Sequence, residues 1–289
     1  MMLSVMVGLG YILFAPLIGG LLEGMGRVLT ARMQGRKGPS VLQPFWDLQK
    51  LLTKELMTVS RMQLIMIGSY TLFVILSGTL FFSGNDIMMC FFSLTTADMF
   101  LVVAASCTGS PFSTMGANRE LIQMASYEPM LLLTGVGFYL ADDTFRVSTI
   151  GTHEGLPAIV MLPGFFIGVV VILAIKLRKS PFDISTSHHA HQEMVKGTTT
   201  ELSGPTLACY TIADWYEQVM LMGIVGIFFA NNRWWSVVLA LVCIVLVYFF
   251  EVLVDNTCAR VKWQVMFKVA WGVTLVAAGT NLLLLQMIR

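Results

Sequence analysis

Residues 178–205 read RKSPFDISTSHHAHQEMVKGTTTELSGP, a polar stretch set inside a chain that is otherwise mostly apolar. A bilayer tolerates such a segment only outside the hydrocarbon or buried among protein helices. The stretch carries three of the four histidines, His188, His189 and His191, and three acids, Asp183, Glu193 and Glu201. It therefore marks the boundary between two membrane-embedded parts and the place where chemistry or a partner is met.

The surroundings support that division. The chain has 289 residues, 56% hydrophobic and 12% charged, with a mean hydropathy of +0.76. Soluble domains carry about 25% charged residues. The shortfall runs over the whole length, which implies a polytopic membrane protein and not one core plus an anchor. A net charge of +1 argues against a nucleic-acid binder. The first apolar run lacks a basic n-region and a small-residue cleavage site, so it reads as a retained helix.

A span needs roughly 20 apolar residues. Candidates lie at 3–22, 62–82, 87–107, 121–141, 156–177, 207–230, 234–254 and 265–287. The expectation is all-α: a single integral membrane domain over 1–289, with about eight transmembrane helices and one short amphipathic helix. Every Lys and Arg except Arg146, Arg233 and Arg289 falls in or beside the odd-numbered loops. Basic residues stay on the cytoplasmic side. Those loops are thus expected to face the cytoplasm of a cell-membrane protein, with both termini outside.

The first of these loops has an internal pattern. Pro44 suits a helix start, and Phe45, Trp46, Leu48, Leu51, Leu52 and Leu56 recur at three- and four-residue steps. Asp47, Lys50 and Lys54 take the other face. This predicts a short helix lying in the membrane interface or packed under a soluble partner; the pattern fits both.

Acids inside spans carry the functional signal. Asp98 sits mid-way along the third span and Glu128 in the fourth. Asp214 and Glu217 share a face of the sixth, and Glu251 and Asp255 a face of the seventh, by their i,i+3 and i,i+4 spacing. An acid at a helix centre costs about 2.5–3.5 kcal/mol on insertion scales. Two readings stand. Asp98, Glu128, Asp214, Glu217 and Glu251 line a wet half-channel for protons or another small cation, with Glu128 and Asp214 about 10 Å deep. Alternatively, each pairs with a Lys or Arg reaching in from a loop.

His188, His189, His191 and Glu193 could ligate a divalent metal. Adjacent histidines cannot share one site on a regular helix, so partner contact is the preferred reading and a proton relay the next. His153 reads as solvated. The five cysteines, Cys90, Cys107, Cys209, Cys243 and Cys258, have no CxxC spacing. Four lie in or at the ends of apolar segments and Cys258 in a short basic loop; free Cys reads as a small buried hydrophobe, and the spacing fits neither an iron–sulfur cluster nor a Cys-ligated nickel site. No metal or cofactor is expected in this chain.

Several short motifs occur in order. Arg36-Lys37-Gly38-Pro39 is followed by Leu42-Gln43-Pro44, Asp47, Lys50-Leu51-Leu52 and Lys54-Glu55. Then come Arg119-Glu120, Ser126-Tyr127-Glu128, Ser180-Pro181-Phe182-Asp183 and Glu201-Leu202-Ser203-Gly204. Together they resemble the complex I membrane subunit 1 (NuoH-like) family over about residues 20–270. Only Ser40 and Val41 separate the GP and LQ motifs, where quinone-reducing members typically have a longer stretch. Those members' glutamate at the end of the first helix would fall at Gly26. Gly109-Ser110-Pro111-Phe112, Glu128-Pro129-Met130, Phe250-Glu251 and the histidine stretch look like the membrane component of energy-converting [NiFe] hydrogenases (Ech, formate hydrogenlyase and Mbh type).

The resemblance implies a subunit without redox centres, with [NiFe] and iron–sulfur clusters in its partners. Those partners would be hydrogenase large and small subunits, an iron–sulfur subunit and an antiporter-like membrane subunit, with ferredoxin engaged indirectly. Docking loops are expected at about 23–61 and 178–206. Arg36, Lys37, Asp47, Lys50, Asp183, His188, His189, His191, Glu193 and Glu201 would lie on the docking face.

Overall fold

The computed structural model describes residues 2–152, 157–185 and 196–288. All regular elements among them are helices: α1 (Met2–Met33), α2 (Gln43–Leu52), α3 (Arg61–Phe82), α4 (Ile87–Ser106), α5 (Pro111–Asp142), α6 (Val147–Ile150), α7 (Ala158–Met161), α8 (Pro163–Lys176), α9 (Pro205–Ile227), α10 (Trp234–Thr257) and α11 (Trp263–Val273), then a π-helical turn (Thr274–Ala278) and α12 (Gly279–Ile288). The starts follow local chemistry. Ser60 accepts the Gln63 amide at 3.2 Å and Asp86 the Met88 amide at 2.8 Å, capping α3 and α4. Prolines open α5, α8 and α9, where the missing N–H costs nothing.

The all-α membrane architecture is as expected. Five segments are long and apolar enough to cross a bilayer: Ser4–Met33, Arg61–Phe82, Ile87–Ser106, Trp234–Thr257 and Trp263–Met287. The other three of the eight expected spans fall on α5, α7 with α8, and α9. They are helical, but α5 and α9 carry polar and charged residues inward, and α8 has only 14 residues. Bounds shift as well. α1 runs eleven residues beyond its predicted end, so Arg27 and Arg32 lie on a helix and not in a loop. α5 starts ten residues early, which puts Glu128 about 25 Å from its start at 1.5 Å per residue instead of 10 Å. α2 stops at Leu52, and Leu56 is outside it.

Hydrogen bonds sort the connections onto two ends. At one end the Ile87 amide reaches the Phe145 carbonyl (2.9 Å), the Val147 amide reaches Asn85 (3.0 Å) and the Ile159 amide reaches Phe228 (2.9 Å). At the other, Ser203 Oγ donates to the Met57 carbonyl (2.9 Å), Gln63 Nε2 to Glu201 (3.3 Å), and the Val261 amide to Pro181 (3.1 Å). This second end holds the lysine- and arginine-bearing loops. Between the ends, Phe91, Phe138, Phe165 and Phe228 are fully buried in the main apolar core. α1 lies close against α9. A Cβ at Gly19 would sit 2.6 Å from the Trp215 carbonyl, so only glycine allows that approach.

Candidate functional site: a buried ionic cluster beside a polar cavity

The short α8 decides where the charge goes. It ends at Lys176, and Arg178 follows in a left-handed conformation (φ 51°). Both side chains therefore turn into the bundle. Lys176 Nζ binds Asp98 Oδ2 of α4 and lies 2.6 Å from Glu217 Oε1 of α9. Tyr127 Oη of α5 donates to Asp98 Oδ2 at 2.7 Å, and Tyr70 Oη approaches Glu217 Oε2 at 3.4 Å. Arg178 Nη2 donates to Glu120 Oε1 at 2.8 Å. All five ions are at most 3% exposed.

Three carboxylates thus face two cations away from water. Such a group holds together because each member would otherwise be an unpaired buried charge. Among the described residues, the count leaves one negative charge without a matching cation. Among the described residues, too, Asp98 Oδ1 is buried with no hydrogen-bond partner, 3.9 Å from Arg178 Nη2, and Glu217 Oε1 meets only the Lys176 ammonium. An arrangement one positive charge short, with free carboxylate lone pairs, can accept a proton or a small monovalent cation.

The cluster borders water at one place. Asp214 Oδ1 lies 3.5 Å from Arg178 Nη1, and its side chain is 44% exposed. It lines a cavity of about 440 Å³ between α1, α9, α10 and the segment after α8. Glu23, Arg27, Lys179, Asp183 and Asp255 share the lining, so the space is ionic on most sides. Gly26, where the glutamate of quinone-reducing members is expected by spacing, lines it too, and Glu23 a turn earlier accepts from Trp215 Nε1 and pairs with Arg27. Arg27 also holds Asp47 of α2 at 2.8 Å. Partial burial would raise the Asp47 pKa, but its bonds from Arg27 and Gln43 win and hold it below the usual carboxylate range. Burial pushes the Lys179 ammonium below its ordinary value, against the opposing pull of Glu251, Asp255 and Asp214.

Of the expected ion-path acids, the structure joins Asp98, Asp214 and Glu217. Glu251 is 1% exposed, and neither of its oxygens has a hydrogen-bond partner among the described residues. Its neighbour Asp255 accepts the Ser180 amide at 2.8 Å. Glu128 is half-buried and makes no side-chain hydrogen bond or ion pair among the described residues. Of the expected docking residues, Arg36, Lys37 and Lys50 are exposed at the basic end, and Glu201 is half-buried there. Asp183 is buried and engages Arg260 at 3.1 Å, so its carboxylate faces inward. His188, His189, His191 and Glu193, with His153, lie outside the described residues. Sequence reasoning treated Lys176 and Arg178 only as loop cations and Glu120 only as part of a motif. The signal that could have found them is the rule that a membrane acid brings its own counter-ion.

Fold and ionic centre together define a polytopic, all-helical membrane subunit with a buried charge cluster reached from its basic end. The chain belongs to the NADH dehydrogenase family, whose sequence model matches residues 6–286. Hydrogenase-4 component C of Escherichia coli (strain K12) is 27% identical, over 87% of this chain and 86% of its own length. An NADH-quinone oxidoreductase subunit of Geobacter metallireducens is 26% identical, over 89% and 87%. A chain in the structure of the membrane-bound sulfane sulfur reductase, an archaeal respiratory membrane complex, superposes with a TM-score of 0.85 at 21% identity. The match covers 98% of this chain and 99% of that one, and speaks for the fold alone.

Proposed function

We propose that this protein is the membrane anchor and coupling subunit of an energy-converting, membrane-bound [NiFe] hydrogenase. It holds no redox centre itself and links ferredoxin-driven proton reduction in a peripheral arm to movement of H⁺ or Na⁺. The observation that carries this reading is the cluster of Asp98, Glu120 and Glu217 around Lys176 and Arg178, bordered by a polar cavity at the basic end. A cluster whose affinity for a cation changes with a charge a few ångströms away is a coupling element. The peripheral arm would sit over the exposed Arg36, Lys37 and Lys50 and the 178–206 segment, on the cytoplasmic face. The short GPSVLQ stretch and the likeness to hydrogenase-4 component C support the hydrogenase branch.

The cavity gives a second reading its one specific support: its volume could hold the head of a quinone, as in a quinone-linked dehydrogenase. Its charged lining argues against that occupant. Purification of the native complex separates the two. Nickel and iron in the co-purifying subunits are expected; a stoichiometric quinone with no nickel would replace the first reading with the second. The coupling role has its own test. Glu217→Gln in an assembled complex is expected to keep hydrogen evolution while ion translocation falls about tenfold or more, the scale of ~1.4 kcal/mol in a barrier. Unchanged translocation per electron would remove the cluster from the path.

A further inference from the structure

One side chain stands between the wet and dry parts of the site. The Arg178 guanidinium touches the cavity-lining Asp214 (3.5 Å) and also Glu120 (2.8 Å), Glu217 (3.9 Å) and Asp98 (3.9 Å). It thus contacts the cavity acid and every buried acid of the cluster. Lys176 lies deeper, on Asp98 and Glu217. The two cations differ in chemistry. A buried lysine can give up its proton, whereas a guanidinium stays charged at any working pH.

We infer that Arg178 is the electrostatic barrier that stops cations in the cavity from leaking into the buried cluster. This rests on the coupling role proposed above and adds a named barrier to it. A proton or sodium ion leaving Asp214 for Glu217 must pass in contact with a permanent positive charge. The barrier is held in place by its surroundings. The Arg178 and Lys179 amides bond back to Ile175 and Ala174, and the Ser180 amide bonds to Asp255. The guanidinium faces the Tyr210 ring at 5.9 Å. A left-handed backbone is unfavourable for arginine, so these contacts fix a conformation the residue would not choose alone. The same tethers connect Arg178 to the basic end: Phe182 and Ile184 carbonyls accept from Gln123 and Arg119, and Arg260 binds Asp183. A shift of that segment therefore moves the barrier directly.

The test uses the purified complex in liposomes without an electron donor, with a pH or sodium gradient imposed and the passive flux recorded. Arg178→Gln is expected to raise the H⁺ or Na⁺ leak about tenfold, the effect of ~1.4 kcal/mol in barrier height being tenfold in rate. Choline flux should stay at the wild-type level, and Arg178→Lys should leak less than Arg178→Gln. Arg260→Gln, which loosens the same segment but leaves the guanidinium in the cluster, should leak less than Arg178→Gln. If Arg178→Gln fails to assemble, the paired variant Arg178→Gln/Glu120→Gln removes charge and counter-charge together and carries the same expectation. A wild-type leak rate in an assembled, pumping variant overturns the barrier, as does an equal rise in choline flux. A wild-type complex that never pumps removes the coupling role itself.

Discussion

Lys176 is the side chain whose loss the cluster tolerates least, because two buried carboxylates meet on its ammonium. Lys176→Met leaves both with only the more distant Arg178 guanidinium as cation, 3.9 Å away. Breaking a buried pair from one side costs about 3–5 kcal/mol. The expected outcome is a markedly lower melting temperature for the purified complex, read by tryptophan fluorescence, with part of it regained in Lys176→Met/Asp98→Asn. A single variant as stable as the wild type would contradict the pairing. At this scale the acids were legible in the sequence and their partners were not. Asp98 and Glu217 announce themselves as charges inside apolar runs. Lys176 and Arg178 sit where a span was expected to end, and position along the chain does not say whether the next residues leave the bilayer or fold back into it. In the structure Asp98 and Glu217 both meet Lys176, and the half-exposed Asp214 meets both Arg178 and the cavity.

Among the elements, α2 is the clearest case of a helix placed by one salt bridge and one aromatic contact. Arg27 of α1 holds Asp47, and Phe45 packs against Trp215 of α9 with ring centroids 5.3 Å apart. Because Asp47 is held below its unfolded pKa, the tether contributes fully at neutral pH. It is lost only as pH falls below the ordinary carboxylate range, through the lowered value. The pair is about 40% exposed on each side, so its worth after solvent screening is about 0.2–1 kcal/mol. Hydrogen exchange should show α2 protection constant from neutral pH to about pH 4 and weaker below, with Asp47→Asn giving the weaker protection already at neutral pH. Equal protection in the variant at all pH values would show that Phe45 alone seats the helix. Strongly apolar elements such as α3, α4 and α10 were read nearly to their ends. The first turns of α5 were missed because Ser113, Gly116, Ala117 and Glu120 are buried against protein. Hydropathy scores such residues as a loop, whatever they pack against. The far part of α1 was missed for the converse reason, since Glu23, Arg27 and Arg32 continue the helix beyond its apolar stretch.

For the whole molecule, sidedness is the open physical variable that the two sets of end contacts make testable. Cys258 is exposed at the basic end, and Trp234, 82% exposed, begins α10 at the opposite end. With the basic end in the cytoplasm, a membrane-impermeant maleimide should label Cys258 in inside-out vesicles and an introduced Trp234→Cys only in right-side-out cells. The reverse pattern would invert the orientation. The same geometry bears on how the membrane voltage acts. α8 is only about 21 Å long at 1.5 Å per residue, against a hydrocarbon layer of about 30 Å. Glu217 lies about 18 Å along α9 from Pro205. The chain beyond that short helix is the buried 180–185 segment, and the polar lining of the cavity reaches Asp214 at the edge of the ionic centre. Voltage drops across apolar material, so Asp214 feels little of it and the dry ions beyond Arg178 feel more.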